Sequence, residues 1–320
     1  MIFSVDPWDP SYGTSVGTDL APSSSEPVIG IEVPAAKWAP IDPTPGMLAP
    51  SSVLFVDGVR RTDAQLWVSE PDGTASPALC ASYAAGVICC CPTDGAHLVA
   101  AQVRRSFVTS SVGGVDVDTP AGTYRCARVA AGRPGDDPGR ALSVTVQTKM
   151  AETEMLVAAA ARDEHGTIDD LLVVDGPLGR RHLPRTLGLI KSHATTYLPP
   201  QLNGVVAALT AGQRTPVFRL ESPATDRALH RHTWYLRLPC PPGAPWAGIA
   251  RVECGGDLPA EAAVALADVS QAALPRYAST AYKDSRAPQN LYPIAGLERA
   301  LRRRLGEPAL LYRALRRAAA

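Results

Sequence analysis

The chain lacks the features that would place it in a membrane or give it a strong charge of one sign. No stretch of the 320 residues approaches the roughly 18 uncharged apolar residues of a membrane span. The N-terminus has no basic segment followed by an apolar one. Basic and acidic residues number 31 each, so only a local patch can hold a nucleic acid. We therefore expect a cytoplasmic protein without a membrane partner.

Some common motifs are also absent. The sequence has no Gly-x-x-x-x-Gly-Lys phosphate loop, no His-Glu-x-x-His zinc motif and no Cys-x-x-Cys pair. Seven cysteines are present, and three of them are consecutive, Cys89, Cys90 and Cys91. Adjacent strand residues point to opposite faces, so these three cannot all bind one ion. We interpret them as small buried strand residues and not as a redox site.

What is present indicates an α/β protein. Residues 1–50 contain nine prolines and predict an extended arm or a partly ordered tail, and residues 51–320 predict one large domain. Apolar and alternating runs predict strands, and longer amphipathic runs predict helices. The strands are expected at 52–56, 64–68, 84–91, 96–107, 171–174, 187–191, 216–220, 233–238 and 248–253. Helices are expected at 142–162, 205–209, 259–274, 297–305 and 308–317, with a loop at 132–139.

Two apolar strands each run into an acid followed by glycine. Leu54 to Val56 precede Asp57, and Leu171 to Val174 precede Asp175. Acids at strand ends predict a metal site, yet Asp-Gly is also the commonest hairpin signal. The same pair occurs at Asp72 and Asp94, so the spacing alone leaves both interpretations open.

A helical acid is expected to join this pair. The helix predicted over 142–162 comes directly before the second Asp-bearing strand, so one of its faces packs beside that strand. Glu154 is the candidate, and Glu152 is the alternative, because residues two apart lie about 200° around a helix. Three carboxylates would suit one or two hard divalent ions. His230 and His232 could be ligands on one face of a strand, but beside Arg231 they are expected to face solvent at the strand edge.

The ordered segments of the chain resemble the NurA nuclease family from about residue 50 onward. The resemblance is carried by Phe-Val-Asp-Gly-Val-Arg-Arg at 55–61, the helix with Glu154, Leu-Leu-Val-Val-Asp-Gly-Pro-Leu at 171–178 and Leu-Gly-Leu-Ile-Lys at 187–191. It continues with Gln-Arg-Thr-Pro-Val-Phe at 213–218, Trp-Tyr-Leu-Arg-Leu at 234–238, Arg-Val-Glu at 251–253 and Arg-Ala-Pro-Gln-Asn-Leu-Tyr-Pro at 286–293. The succession of these segments makes the match more specific than any one of them.

This resemblance implies a ribonuclease H-like mixed sheet flanked by helices, in a homodimer. The implied activity is a DNA end-processing nuclease, acting in repair or defence, that depends on Mn²⁺ or Mg²⁺ and is coupled to a HerA-type hexameric DNA-translocating ATPase. Asp57, Glu154 and Asp175 match the family's metal ligands, and Tyr292 matches its C-terminal tyrosine. The family's histidine has no counterpart after Tyr292-Pro293.

Basic and amide side chains are needed beside the acids, because a polyanionic substrate is otherwise repelled. Lys283, Gln289 and Asn290 are also candidates to replace the missing histidine. The predicted DNA contacts are Arg60, Arg61, Lys191, Lys283, Arg286, Gln289 and Asn290. A basic patch is also predicted at 297–317, a segment that contains seven arginines and only two glutamates.

Two other functions remain open at this point. A NurA-like subunit with a weakened site would serve as a non-catalytic adaptor or DNA clamp on the motor, and the missing histidine favours it. A glycoside hydrolase would use the same pair of acids. The aromatic content of 6% disfavours this class, because sugar sites usually need stacking platforms.

Overall fold

The computed structural model describes residues 8, 16–22, 25–129, 137–165, 167, 169–179, 183–221, 229–241 and 243–319. The strands are β1 (Val16–Pro22), β2 (Glu26–Val28), β3 (Val53–Ser69), β4 (Ala75–Cys91), β5 (Gly95–Thr109), β6 (Val117–Thr119), β7 (Gly122–Arg128), β8 (Leu171–Asp175), β9 (Thr186–Ile190), β10 (His193–Thr196), β11 (Phe218–Glu221), β12 (Arg231–Arg237) and β13 (Ile249–Gly255). The helices are α1 (Pro138–His165), α2 (Pro200–Ala208), α3 (Ala260–Ala273), α4 (Tyr292–Arg304) and α5 (Pro308–Ala318).

Parallel and antiparallel strand pairs occur together with these helices, which confirms the predicted mixed α/β class. The chain divides into two compact units. Unit 1 comprises Met1–Phe55, Cys89–His97 and Gly166–Ala295, and unit 2 comprises Val56–Ile88, Leu98–His165 and Gly296–Ala320. None of the helices in the described part of the chain is both long enough and apolar enough to cross a membrane.

In unit 1 the hydrogen-bonded strand order is β2-β11-β12-β13-β9-β8, and β1 pairs separately with β10. Strands β12 and β13 are antiparallel, whereas β8 and β9 run parallel with Val173 opposite Leu187. Helix α2 contributes Leu202 and Val206 to an apolar cluster with Phe218 and Tyr235. The predicted strands at 171–174, 187–191, 233–238 and 248–253 are confirmed, with ends displaced by a few residues.

Part of the proline-rich first 50 residues belongs to this packing. Strand β2 pairs with β11, although its own residues include Pro27. Glu32 accepts two hydrogen bonds from the guanidinium of Arg214, each 2.8 Å long. That guanidinium is 1% exposed and also reaches Asp268. An isolated buried charge is costly, so these acids make the burial of Arg214 possible.

In unit 2 the strand order is β3-β4-β5-β7-β6. Helix α1 covers one face, where Leu142 and Met150 pack against Tyr83 of β4. Helix α4 covers the other, where Leu301 packs against Ala84. Neighbouring residues of a strand point to opposite faces, so Tyr83 and Ala84 identify the two sides of the sheet.

Several local predictions are corrected by the structure. The separate strands expected at 52–56 and 64–68 are one 17-residue strand, β3. The pair Asp57-Gly58 is therefore not a turn, whereas Gly73 and Gly95, with φ of +84° and +66°, form the predicted turns. His232 is 2% exposed and does not face solvent; β12 is a central strand and not an edge strand, and the imidazole Nε2 lies 3.0 Å from the carbonyl oxygen of Leu258. Of the predicted loop at 132–139, residues 132–136 lie outside the described residues.

Candidate metal centre

Asp57 lies inside β3 and not at its end. The strand continues to Ser69 without interruption at Gly58, whose φ is not positive. The Asp57 side chain is 8% exposed, and its Oδ1 accepts a hydrogen bond of 2.7 Å from the Gly58 backbone N–H. A glycine inside a strand often marks a close approach of another group. Here the glycine marks such an approach. The sequence alone cannot distinguish this use of an Asp-Gly pair from a turn.

Glu154 is the group that approaches Gly58. A Cβ built on Gly58 would lie 2.5 Å from Oε1 of Glu154 and 2.8 Å from Cγ of Met150. Glu154 continues the stripe of Leu142, Val146 and Met150 at four-residue spacing, and it is 3% exposed. Glu152 is half exposed and pairs with Lys149 at 2.9 Å. Of the two helical acids considered from the sequence, Glu154 is thus the one packed on β3.

Glu298 of α4 is an acid that the sequence interpretation did not assign to the site. One of its carboxylate oxygens lies within 4.8 Å of one from Asp57. Val59, two residues after Asp57 and on the same face of β3, packs against Leu297 and Leu301 of α4. This contact brings the α4 acid to Asp57. In the sequence, the signal for this role was a glutamate next to the apolar leucine positions of a helix whose other charged residues are arginines.

Alternation along β3 places the two helical acids on different faces. Gly58 faces Met150 and Glu154 of α1, so Asp57 faces the α4 side, where Glu298 lies. The predicted convergence of Asp57 with Glu154 is therefore replaced, within unit 2, by a pair formed by Asp57 and Glu298. That Glu154 binds an ion stays a prediction of the sequence resemblance.

Asp175 lies in unit 1, where it ends β8 as the sequence predicts. Gly176 follows with φ of +94°, a conformation that favours glycine. Lys191 Nζ donates to Asp175 Oδ2 at 2.6 Å and to Asn290 Oδ1 at 2.7 Å. Asn290 Nδ2 in turn donates to Asp284 Oδ2 at 2.8 Å. The ammonium is 8% exposed and balances the charge of Asp175.

The other residues predicted to contact DNA differ in exposure. Arg60 is exposed and donates to Ser143 Oγ at 3.1 Å. Arg61 is half-buried and donates at 2.9 Å both to Asp63 Oδ1 and to the carbonyl oxygen of Gly306. These contacts fix the orientation of both guanidinium groups in unit 2.

Tyr292, one of the C-terminal candidates, contacts Thr280 and Lys283. Its hydroxyl lies 2.7 Å from Thr280 Oγ1, and Lys283 Nζ is 5.6 Å from the centre of its ring. Lys283 is exposed and Arg286 is half-buried. Gln289 and Asn290 are fully buried, and Gln289 Oε1 accepts from Trp8 Nε1 at 3.0 Å. The hydrogen bonds of these two buried amides orient the side chains of Trp8 and Lys191.

Unit 2 also holds a basic cleft that the sequence interpretation missed. The cleft has a volume of about 450 Å³. Its charged lining consists of one acid, Glu152, and of Arg104, Arg105, Arg125 and Lys149. The seven arginines of the C-terminal patch are all exposed, on α4 and α5. Positive charge is thus concentrated in the unit that holds Asp57 and Glu298.

No protein-family model matches the chain, and no curated protein matches it either. The resemblance to NurA nucleases accordingly stays a prediction carried by the ordered segments of the sequence.

Proposed function

We propose that the protein is a nuclease that hydrolyses phosphodiester bonds at DNA ends and depends on Mn²⁺ or Mg²⁺. The observation that carries the proposal is the close pair of carboxylates from Asp57 and Glu298 in unit 2. Hard divalent ions prefer carboxylate oxygens, so the donor set of this pair suits Mg²⁺ or Mn²⁺. Such an ion, when bound, would neutralise charge on a phosphate and activate water.

The residues of the chain have distinct tasks in this proposal. Asp57 and Glu298 hold the ion, and the α4–β3 packing through Val59 keeps them together. The exposed arginines of α4, among them Arg302 one turn after Glu298, attract the phosphate backbone, which two acids alone would repel. The ribonuclease H-like fold, the homodimer and the HerA-type partner belong to the same proposal and rest on the sequence resemblance. That Asp175 and Glu154 bind metal is likewise implied by the sequence resemblance alone.

The missing histidine also has a structural counterpart in this proposal. Helix α4 begins at Tyr292 and carries Glu298 six residues later. In this proposal a carboxylate of the same helix supplies a ligand in the segment after Tyr292-Pro293, where the resemblance implies a histidine. The main argument for a non-catalytic adaptor is weakened accordingly.

The test compares cutting of end-labelled linear DNA by the wild type and by single variants, in Mn²⁺, Mg²⁺ or EDTA. Asp57→Asn and Glu298→Gln should each lower the rate by at least about 100-fold, because each removes an ionic ligand but keeps the side-chain volume. Glu152→Gln is the matched control on the exposed face of α1 and should cut at the wild-type rate. Glu154→Gln and Asp175→Asn measured alongside show whether those acids contribute.

Two results would contradict the proposal. Cutting that persists in EDTA, or in Glu298→Gln at the wild-type rate, would exclude an ion held by this pair. Absence of cutting under every condition, including added motor protein, with DNA binding intact would favour the adaptor or clamp. That alternative is the second candidate because the family's histidine is absent after Tyr292-Pro293.

A further inference from the structure

A second group of potential ligands lies in unit 1, at the hairpin between β4 and β5. Cys91 is the last residue of β4 and Cys89 lies two residues before it, and His97 is the third residue of β5. The two Sγ atoms and a ring nitrogen of His97 all lie within 4.8 Å of one another. None of these groups takes part in the proposed nuclease site.

The strand geometry explains why these three side chains meet. Residues two apart on a strand share a face, so Cys89 and Cys91 point to one side and Cys90 points to the other. The turn at 92–94, closed by Gly95 with φ of +66°, brings β5 back beside β4. His97 thereby lies next to the two thiols. The sequence interpretation excluded three adjacent cysteines around one ion, but it did not consider two of them with a residue from the next strand.

Hydrogen bonds of the turn orient the potential ligands. His97 Nδ1 lies 3.2 Å from the carbonyl oxygen of Gly95. A carbonyl oxygen only accepts, so Nδ1 carries the proton and donates it, which leaves the lone pair on Nε2. The backbone N–H of Asp94 donates to Cys91 Sγ at 3.5 Å. The first contact leaves Nε2 as the nitrogen that can bind a metal ion, and the second fixes the position of Cys91 Sγ.

The geometry and the donor types suit zinc. Two sulfurs bound tetrahedrally to one zinc at ~2.3 Å lie ~3.8 Å apart, so the observed spacing needs only small side-chain rotations. Thiolate and imidazole are the preferred zinc ligands, whereas Mg²⁺ and Mn²⁺ prefer oxygen. Cys91 and His97 are half-buried and residues 92–96 are exposed, so an ion can enter from solvent.

We propose that Cys89, Cys91 and His97 bind a zinc ion that fastens the tip of the β4–β5 hairpin, with water in the fourth position. The ion links the last residues of β4 to the first residues of β5. The site is independent of the acids that the nuclease proposal uses, so either proposal can fail without the other.

The experiment measures metal in the full-length protein purified without chelators and washed with excess Mg²⁺. The wild type should retain about one zinc per chain, and Cys91→Ser and His97→Ala should lose it. Cys126→Ser makes the same chemical change at a half-buried position of unit 2 and should keep the zinc. Cobalt exchanged into the wild type should give the sulfur-to-cobalt charge-transfer band and the visible bands of a tetrahedral site, which Cys91→Ser should lack.

Two results would overturn the proposal. The first is wild-type protein without zinc and without the cobalt bands after reconstitution, or a Cys91→Ser variant that retains both. The second is a disulfide between Cys89 and Cys91 in freshly purified protein, detected as two thiols protected from alkylation until reduction. Cys91 and His97 are half-buried, so their variants should fold, and circular dichroism checks that they do.

Discussion

His193 makes the stability of unit 1 depend on pH. Its imidazole packs against Tyr235 and Trp246, at ring-centre distances of 5.7 and 5.1 Å, and its Nε2 is 3.1 Å from the carbonyl oxygen of Ile249. Burial lowers its pKa from 6.5 to about 4, and the positive charge of Arg251 acts in the same direction. The folded unit therefore holds a neutral imidazole at a pH where the unfolded chain is already protonated.

The sign and size of the effect follow from proton linkage. As the pH falls through 6.5, the unfolded chain binds a proton that the folded unit does not bind, so the free energy of unfolding decreases. At about pH 5 the two pKa values predict a loss of about 2 kcal/mol relative to about pH 8. The loss approaches about 3 kcal/mol and stops growing once the pH is below the folded pKa.

The assay is urea denaturation, monitored by tryptophan fluorescence, of the wild type and of His193→Phe at both pH values. Phenylalanine keeps the ring contacts but cannot titrate. It loses the bond to Ile249, at a cost of ~1 kcal/mol that is the same at both pH values. Other titrating groups, including His232, are present in both proteins and cancel in the difference. Equal pH dependence of wild type and variant would refute the argument that His193 is neutral when folded.

Two further substitutions test close packing. Gly58→Ala should destabilise unit 2 by ~1–3 kcal/mol, because its Cβ would overlap Glu154, whereas Gly204→Ala, with open space around it, should not destabilise unit 1. Thermal unfolding measures both, and an unchanged Gly58→Ala would contradict the close approach. Arg214→Ala should lower the free energy of unfolding, measured by urea denaturation, by ~3–5 kcal/mol, since it leaves two acids without their buried partner. The partly exposed pair of Arg219 with Glu221 provides the comparison, because Arg219→Ala should cost less than ~1 kcal/mol. Equal costs would refute the role of burial.

The arginine-rich C-terminus shows how a local pattern predicted secondary structure but not its partners. The apolar positions of 297–305 and 308–317 predicted two helices, and both are present as α4 and α5. Net charge drew attention to the arginines of this segment, which are exposed as a solvated helix face would be. In that net charge, Glu298 was only one of two acids among seven arginines. Its proximity to Asp57 depends on which face of β3 the helix covers, and no sequence period contains that information.

The sequence by itself determined the α/β class, the long helix α1, the turns at Asp72 and Asp94, and the acid that ends β8. Each of these depends on residues close in the chain, through apolar periodicity or the backbone freedom of glycine. Only the tertiary structure decided that Asp57-Gly58 continues a strand, that His232 is buried, and that Cys89 and Cys91 lie beside His97. These features depend on which segments pack together, because the same Asp-Gly pair or the same histidine suits either environment until a partner segment approaches it.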